Sequence, residues 1–327
     1  MLLEIAEAAT SLGHEVHVVG PDAEDGVLAA AAQRGLEVTA LSPERRDYMH
    51  QLREWDRRRD GVLWCNGLVP AVATTGRGNR IVHLHQATSR SHVAAGRTAA
   101  LRSLALLVPS RSMARHFPTA QVLPNWVQPV RSHARSRDAQ APVVLGFLGR
   151  PCADKGVLVL SQALRLLDLD EPGRYRLLLA GEPRFVSEHE RARTEAALAP
   201  VAHLVDRPGW MSREDFFSQV DLAVFPSTCP ESFGLIVAEA MSAATPFVIS
   251  DAGALPEVAG ADYPWVARAG STASLLRTIR LALTAESQVR SAAAEHAHRR
   301  WQEQFSPQAG RMRMRCLLTD VLPGEAS

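Results

Sequence analysis

At 327 residues and 46% hydrophobic composition, the chain is long enough to bury large cores, most simply as two domains. A formal net charge of +1 excludes a general nucleic-acid binder, which carries a basic excess. Lys155 is the one lysine among 36 basic residues, so a single arginine says little here and that lysine says much.

Residues 2–12 read as a helix, and Gly13-His14-Glu15 leads into a strand at 16–19. A doubly wound sheet normally begins one strand earlier, with a Gly-rich turn before that helix. Both are absent, so either the start lies downstream of the natural one or the domain compensates. The opening Met1-Leu2-Leu3-Glu4 is acidic and lacks the basic region of a signal peptide. Residues 44–60 alternate in sign and predict an exposed helix. Apolar runs at 61–64, 81–85 and 105–108 predict buried strands, and the polar stretch 130–141 predicts an inter-domain linker. Runs at 143–148, 175–180, 203–205, 221–225 and 246–249 predict the strands of a second unit, and 307–322 a last helix packing back on the first. Apolar strands separated by helices imply parallel sheets covered on both faces. The expected division is 1–135, 136–306 and 307–327. No apolar run reaches membrane-spanning length. The four cysteines are far apart with no metal spacing, which fits reduced thiols in a cytoplasmic protein.

The chemistry concentrates in the second half. From Ser232 to Ser250 the sequence is almost wholly apolar yet carries Glu239, and a buried carboxylate is costly unless something specific bonds to it. Glu231 stands eight residues earlier, before Ser232-Phe233-Gly234-Leu235, a predicted helix N-terminus whose free amides suit a phosphate. Two acids around an anion seat point to a phosphorylated sugar; the alternative for Glu239 is an ion pair with a buried arginine. Upstream, a strand ends at Gly149, followed by Arg150 and then Lys155-Gly156 before a helix. A planar fork and a point charge five residues apart suit a diphosphate without a metal, or are simply solvated loop cations. The order is not that of a Walker loop.

His85 is expected to end a strand where polar tips meet ligand, and His83, on the same face, to be a satisfied core histidine. Asp168-Leu169-Asp170 has the form of a metal-binding D-x-D but precedes a surface turn, and no metal is expected. Between residues 61 and 137 there is no Asp or Glu against ten Arg. That stretch is either a solvated face in an arginine-biased protein, or a surface for an anionic acceptor or an anionic membrane.

The pairing of G-R-x-x-x-x-K-G at 149–156 with P-E-x-F-G-x-x-x-x-E-A-M-x-x-x-x-P at 230–246 resembles the family-4 retaining glycosyltransferases of GT-B fold. The likeness extends through Val224-Phe225-Pro226-Ser227, Ser250-Asp251-Ala252-Gly253 to Glu257, Leu123-Pro124-Asn125-Trp126-Val127 and residues 12–16. It implies an α/β architecture of two doubly wound, Rossmann-like domains facing across a cleft. It also implies transfer of a sugar from a nucleotide diphosphate-sugar to an unidentified acceptor, with retention and with neither metal nor other cofactor. By the resemblance, the catalytic set is Glu231, His85, Arg150 and Lys155. Glu231 would contact the sugar hydroxyls and Glu239 the ribose. Phe233, Gly234 and Leu235 would offer backbone amides, with Gly149 and Ser227 completing the donor site. Three departures stand out: Trp126 and Ala254 replace glycines and Gln128 replaces an acid. Two rivals remain at this level, a non-catalytic sugar-nucleotide-binding subunit and a nucleotide-sugar epimerase. No nucleic-acid partner or membrane span is expected, and the protein would be cytoplasmic or peripheral at the inner membrane face.

Overall fold

A computed structural model describes residues 1–23, 26–87, 89–132 and 141–322. The chain divides into two units, Met1–Trp126 with Pro307–Ser327, and Val127–Ser306. The division thus falls after Trp126, earlier than position 135. Of the predicted linker, residues 133–140 lie outside the described residues.

In the first unit the elements are α1 (Leu2–Ser11), β1 (His17–Pro21), α2 (Val27–Gln33), β2 (Glu37–Leu41), α3 (Arg45–Trp55), β3 (Leu63–Asn66) and α4 (Leu68–Ala73). They continue with β4 (Arg80–His83), α5 (Arg90–Ala99), β5 (Ala105–Val108), α6 (Arg111–Ala114) and β6 (Gln121–Val122). Every pairing is parallel, but the strands form two sheets, β1-β2 and β3-β4-β5-β6. Among the described residues no strand joins them. Helix α1 serves both: Ile5 and Ala8 pack in one core with Ile81 and Leu107, while Ala6 packs in another with Val18 and Leu28.

Several expectations change here. Strand β4 stops at His83, so His85 lies two residues beyond it rather than at its tip. The charged segment 44–60 is not a fully exposed helix. Tyr48 and Leu52 of α3 are buried, and Asp56 is held by Arg59 and Arg77. Nor are the ten arginines of 61–137 one positive face. Arg80 is 0% exposed, and its guanidinium donates to the carbonyls of Ala71, Arg77, Ala99 and Leu101 and to Thr74 Oγ1. Those acceptors include carbonyls at the ends of α4 and α5, where the helix dipole is negative, so a buried cation needs no carboxylate there. Arg135 and Arg137 lie outside the described residues.

In the second unit, β7 (Val143–Leu148), α7 (Val157–Asp170), β8 (Tyr175–Ala180) and α8 (Glu188–Leu198) precede a 3₁₀ turn at Ala199–Leu204. Next come β9 (Val205–Gly209), α9 (Arg213–Gln219), β10 (Leu222–Phe225), α10 (Leu235–Ser242), β11 (Phe247–Ser250), α11 (Leu255–Ala259) and β12 (Val266–Ala267). Helices α12 (Thr272–Thr284) and α13 (Ser287–Gln304) close the unit, and α14 (Pro307–Val321) returns to the first. The strand predicted at 203–205 therefore begins where it was expected to end, because the preceding residues close the 3₁₀ turn. The sheet runs β12-β11-β10-β7-β8-β9, all parallel. In chain order this is the doubly wound 3-2-1-4-5-6 arrangement, written from its other edge. Order reverses between β7 and β10, and ligands of such sheets bind beyond the carboxyl ends of strands at that reversal. Leu145, Phe147, Val224 and Val248 fill the sheet's interior with Leu160 and Leu164 of α7 and Val237 and Met241 of α10.

Helix α14 packs with α1 through Met314 and Leu317. Trp126, which stands where the resemblance has a glycine, is 2% exposed in this core. Its indole lies against the backbone of Gly310, where a Cβ would overlap the ring. A large side chain at one position is thus matched by none at the other.

Candidate functional site

The loops following β7 and β10 meet at the reversal point of the second sheet. The first loop begins at Gly149, whose φ of 141° only glycine adopts readily, and ends at Gly156, the left-handed N-cap of α7. A Cβ on Gly156 would overlap the Pro226 carbonyl oxygen, so that glycine lets the two loops touch. They are then stitched together: Thr228 donates its amide to Asp154 O at 2.8 Å and its hydroxyl to Ala153 O at 2.9 Å. Glu190 Oε1 accepts the Ala153 amide at 2.6 Å from the other side.

This stitching brings Lys155 to Glu231. Lys155 Nζ donates to Glu231 Oε1 at 2.6 Å, and Ser227 Oγ donates to the same oxygen, also at 2.6 Å. The Glu231 backbone is fixed too. It bridges Gly253 in parallel, and its carbonyl accepts the Ala254 amide at 2.9 Å. Any side chain at Gly253 would strike the Glu231 backbone. Arg150 is exposed on the same loop and makes no ion pair among the described residues.

Helix α10 starts at Gly234 in the left-handed region, without a side-chain cap, so its first amides are available. Phe233 is buried and meets Phe305 edge-on with centroids 5.5 Å apart. Leu235 is partly exposed. Glu239 lies one turn further along α10, with its side chain 14% exposed, and Arg213 Nη1 donates to its Oε1 at 2.9 Å. Burial pushes the Glu239 carboxyl above the usual carboxylate range, and Arg213 works against that rise. The ion pair weighed for Glu239 is present, but its arginine is half-exposed, not buried.

In the first unit, His85 Nε2 donates to Asn66 Oδ1 at 2.7 Å, which leaves Nδ1 as a lone-pair acceptor. Burial holds its pKa down to about 4, so the ring is neutral near pH 7. His83 is fully buried, as a core residue should be, but it is not satisfied: neither ring nitrogen has a hydrogen-bond partner among the described residues. Its ring packs 4.2 Å from that of His85 and meets Trp64 edge-on. The D-x-D is structural: Asp168 accepts the Gly173 amide and Asp170 pairs with Arg280. Among the described residues no three His, Cys, Asp or Glu side chains are grouped to hold a metal, and no helix is long and apolar enough to cross a membrane. Sequence reasoning did not single out Arg213, Asn66 or Thr228. Each acts across 19 to 75 residues, and no local pattern marks it.

Residues 142–285 match the family described as glycosyl transferases group 1, a span that contains Lys155, Glu231 and Glu239. The whole chain superposes on HepE of Anabaena, solved with UDP and glucose, at a TM-score of 0.81 and 17% identity, covering 97% of this chain and 95% of that one. Sucrose-phosphate synthase of Thermosynechococcus elongatus gives a TM-score of 0.81 at 15% identity, covering 98% and 92%. The fold is GT-B. Among curated proteins, the lipopolysaccharide 1,2-N-acetylglucosaminetransferase of Salmonella typhimurium is 27% identical over 126 residues, 36% of this chain. The match spans 33% of that curated relative.

Proposed function

We propose that this GT-B chain is a retaining, metal-independent glycosyltransferase whose second unit holds a nucleotide diphosphate-sugar. The observation that carries the reading is the convergence of Lys155, Ser227 and Glu231 beside the uncapped start of α10. Lys155, Arg150 and the first amides of α10 would receive the diphosphate and stabilise charge as it leaves, electrostatic work that requires no metal. Glu231 would hold the sugar hydroxyls and Glu239 the ribose. Glu231 already accepts two donors on one oxygen, which suits hydroxyl binding and makes it a poor covalent nucleophile. Retention by attack from the leaving-group side is therefore favoured. Neutral His85, in the first unit, would offer Nδ1 as a hydrogen-bond acceptor. HepE was solved with UDP and glucose, and the curated relative is named for transfer of N-acetylglucosamine, which supports a uridine-type donor.

The test is turnover and binding with a panel of nucleoside diphosphate-sugars. The wild-type chain should bind one of them and hydrolyse it slowly without acceptor, whereas a non-catalytic subunit would bind and not hydrolyse. Lys155→Ala and Glu239→Ala should each severely reduce turnover. Near-normal rates in either variant overturn the assignment of the site.

A further inference from the structure

The two sheets of the first unit each present an edge that nothing pairs. Strand β1 is bonded on one side by β2, and β3 on one side by β4. Among the described residues no backbone hydrogen bond joins residues 17–21 to 63–66. The alternation of a strand identifies the groups left over. Leu63 N donates to Asn79 O and Gly67 N to His83 O, so residues 63, 65 and 67 face β4 and the amides of Trp64 and Asn66 turn the other way. Asp22 N donates to Leu41 O, so the amides of His17 and Val19 turn away from β2.

Helices cover this gap on both faces. Val18 and Val19 point to opposite faces of β1. Val18 packs in one cluster with Ala6 of α1, and Val19 in another with Tyr48 and Leu52 of α3. On the far side, Trp64 of β3 clusters with Ile5 of α1, and Val69 and Ala73 of α4, which follows β3, cluster with Leu52. The two sheets are therefore parts of one layer held between α1 and α3. Exposure agrees: every residue of β4 and β5 is buried, whereas Leu63, Trp64 and Asn66 of β3 and Val19 of β1 are only half-buried. Half-burial in the middle of a covered layer is what a strand with one flank missing shows.

Topology states what fits. With a strand in the gap counted as first, the layer reads 3-2-1-4-5-6-7, the order that the second unit shows over its six strands. Helix α1 leads into β1, and a strand beside β1 that runs parallel to it makes α1 the crossover of a right-handed βαβ unit. Pairing on both sides and helices on both faces demand a segment apolar on both faces, without proline in its middle. Its length should match the five residues of β1 and the four of β3. Open strand edges of this kind are the template used in strand addition.

We infer that the gap between β1 and β3 is a docking site for one extended, apolar segment of polypeptide, which enters as a parallel strand and joins the two sheets into one. The site uses none of the donor-binding residues, so it stands or falls apart from the proposed activity.

The experiment adds the free peptide Lys-Lys-Val-Ile-Val-Ile-Val-Gly-Gly to the full chain and follows calorimetry, the urea midpoint and amide exchange by NMR. One-to-one saturable binding and a raised midpoint are expected. The amides of His17, Val19, Trp64 and Asn66 should exchange at least about ten-fold more slowly, while those of the outer strands β6 and β9 stay unchanged. The counterpart Lys-Lys-Val-Pro-Val-Pro-Val-Gly-Gly, which lacks two ladder donors, should not bind. The inference is overturned if the first peptide does not bind, if the proline peptide binds equally well, or if protection falls on β6 or β9 and not on the four named amides. Sedimentation of the chain alone tests a second copy as occupant. A dimer in which those four amides are already protected, and which excludes the peptide, likewise overturns it.

Discussion

Lys155 and Glu231, 76 residues apart in sequence, share a hydrogen bond of 2.6 Å, and that bond ties the cationic loop to the acid of the next loop. Under the proposed reading it would link two halves of the donor, since the lysine suits a diphosphate and the acid suits hydroxyls. Removing the ammonium should slow the step in which negative charge develops, by about 10²- to 10³-fold in kcat, the usual scale for one preorganised donor. Lys155→Arg should not restore the rate, because a planar fork cannot replace a point charge at this distance from Glu231. Stability should change by about 1 kcal/mol or less, since the pair is partly solvated and Ser227 still binds the acid. Steady-state kinetics with matched urea melts separate the two effects, and a folded Lys155→Ala enzyme with wild-type kcat would refute the role.

Arg213 sets the state of Glu239. A carboxyl held in an apolar helix tends to stay protonated, and the guanidinium 2.9 Å away opposes this. Arg213→Ala should therefore raise the Glu239 pKa further, and the effect on donor binding should grow as pH falls because the protonated acid loses acceptor capacity. The donor KM is expected to rise about ten-fold, the scale of one charged hydrogen bond, with kcat largely kept. The rise should be steeper at pH 5.5 than at 7.5, and Arg213→Lys should recover part of it. An unchanged KM at both pH values removes Arg213 from the site.

Much of this was legible in the sequence where the signal is local. Strands 143–148, 175–180 and 105–108 were bounded to the residue, because each is an apolar run closed by turn or polar residues. Segments 149–156 and 227–231 stood out separately, by the unique lysine and the spaced acids, and only the resemblance joined them before the structure placed Lys155 on Glu231. What escaped was long-range or geometrical. Strand Glu37–Leu41 is largely exposed and lacks an apolar run. Arg213 is one arginine among many and reveals itself only by standing next to Glu239. Arg80 reads in sequence as another surface cation, yet helix-end carbonyls 9 to 21 residues away bury it. The split of the first unit's strands into two sheets was not read from the sequence, because which strands pair is a property of the folded chain.

The adjoining rings of His83 and His85 predict a pH dependence of stability. Unfolded, each imidazole titrates near 6.5; folded, His85 is held down to about 4 and His83 well below its ordinary value, both chiefly by burial. Between those values the unfolded chain binds more protons than the folded one, so stability falls as pH drops from 6.5 toward 4. Replacing His85 by glutamine, which cannot titrate, should reduce the slope of urea midpoint against pH in that window while leaving the midpoint at pH 7.5 little changed. Because His85 is already neutral, the activity profile should show no inflection from it between pH 6 and 7.5. A wild-type slope retained in His85→Gln contradicts the assignment.

Trp126 and Gly310 predict an inverted helix propensity. In an open helix interior, alanine in place of glycine stabilises by about 1 kcal/mol. Gly310, in α14, is a buried position where a methyl group would overlap the indole of Trp126. Overpacking of a close-packed core costs roughly 1–3 kcal/mol, enough to reverse the sign. Gly310→Ala should therefore lower the urea midpoint, and the smaller ring of Trp126→Phe should lessen the penalty of the alanine in the double variant. That non-additivity separates a local clash from a general effect on the helix. If Gly310→Ala were stabilising, or if the two substitutions simply added, the large-for-small exchange between these positions would not be what holds α14 in the first unit's core.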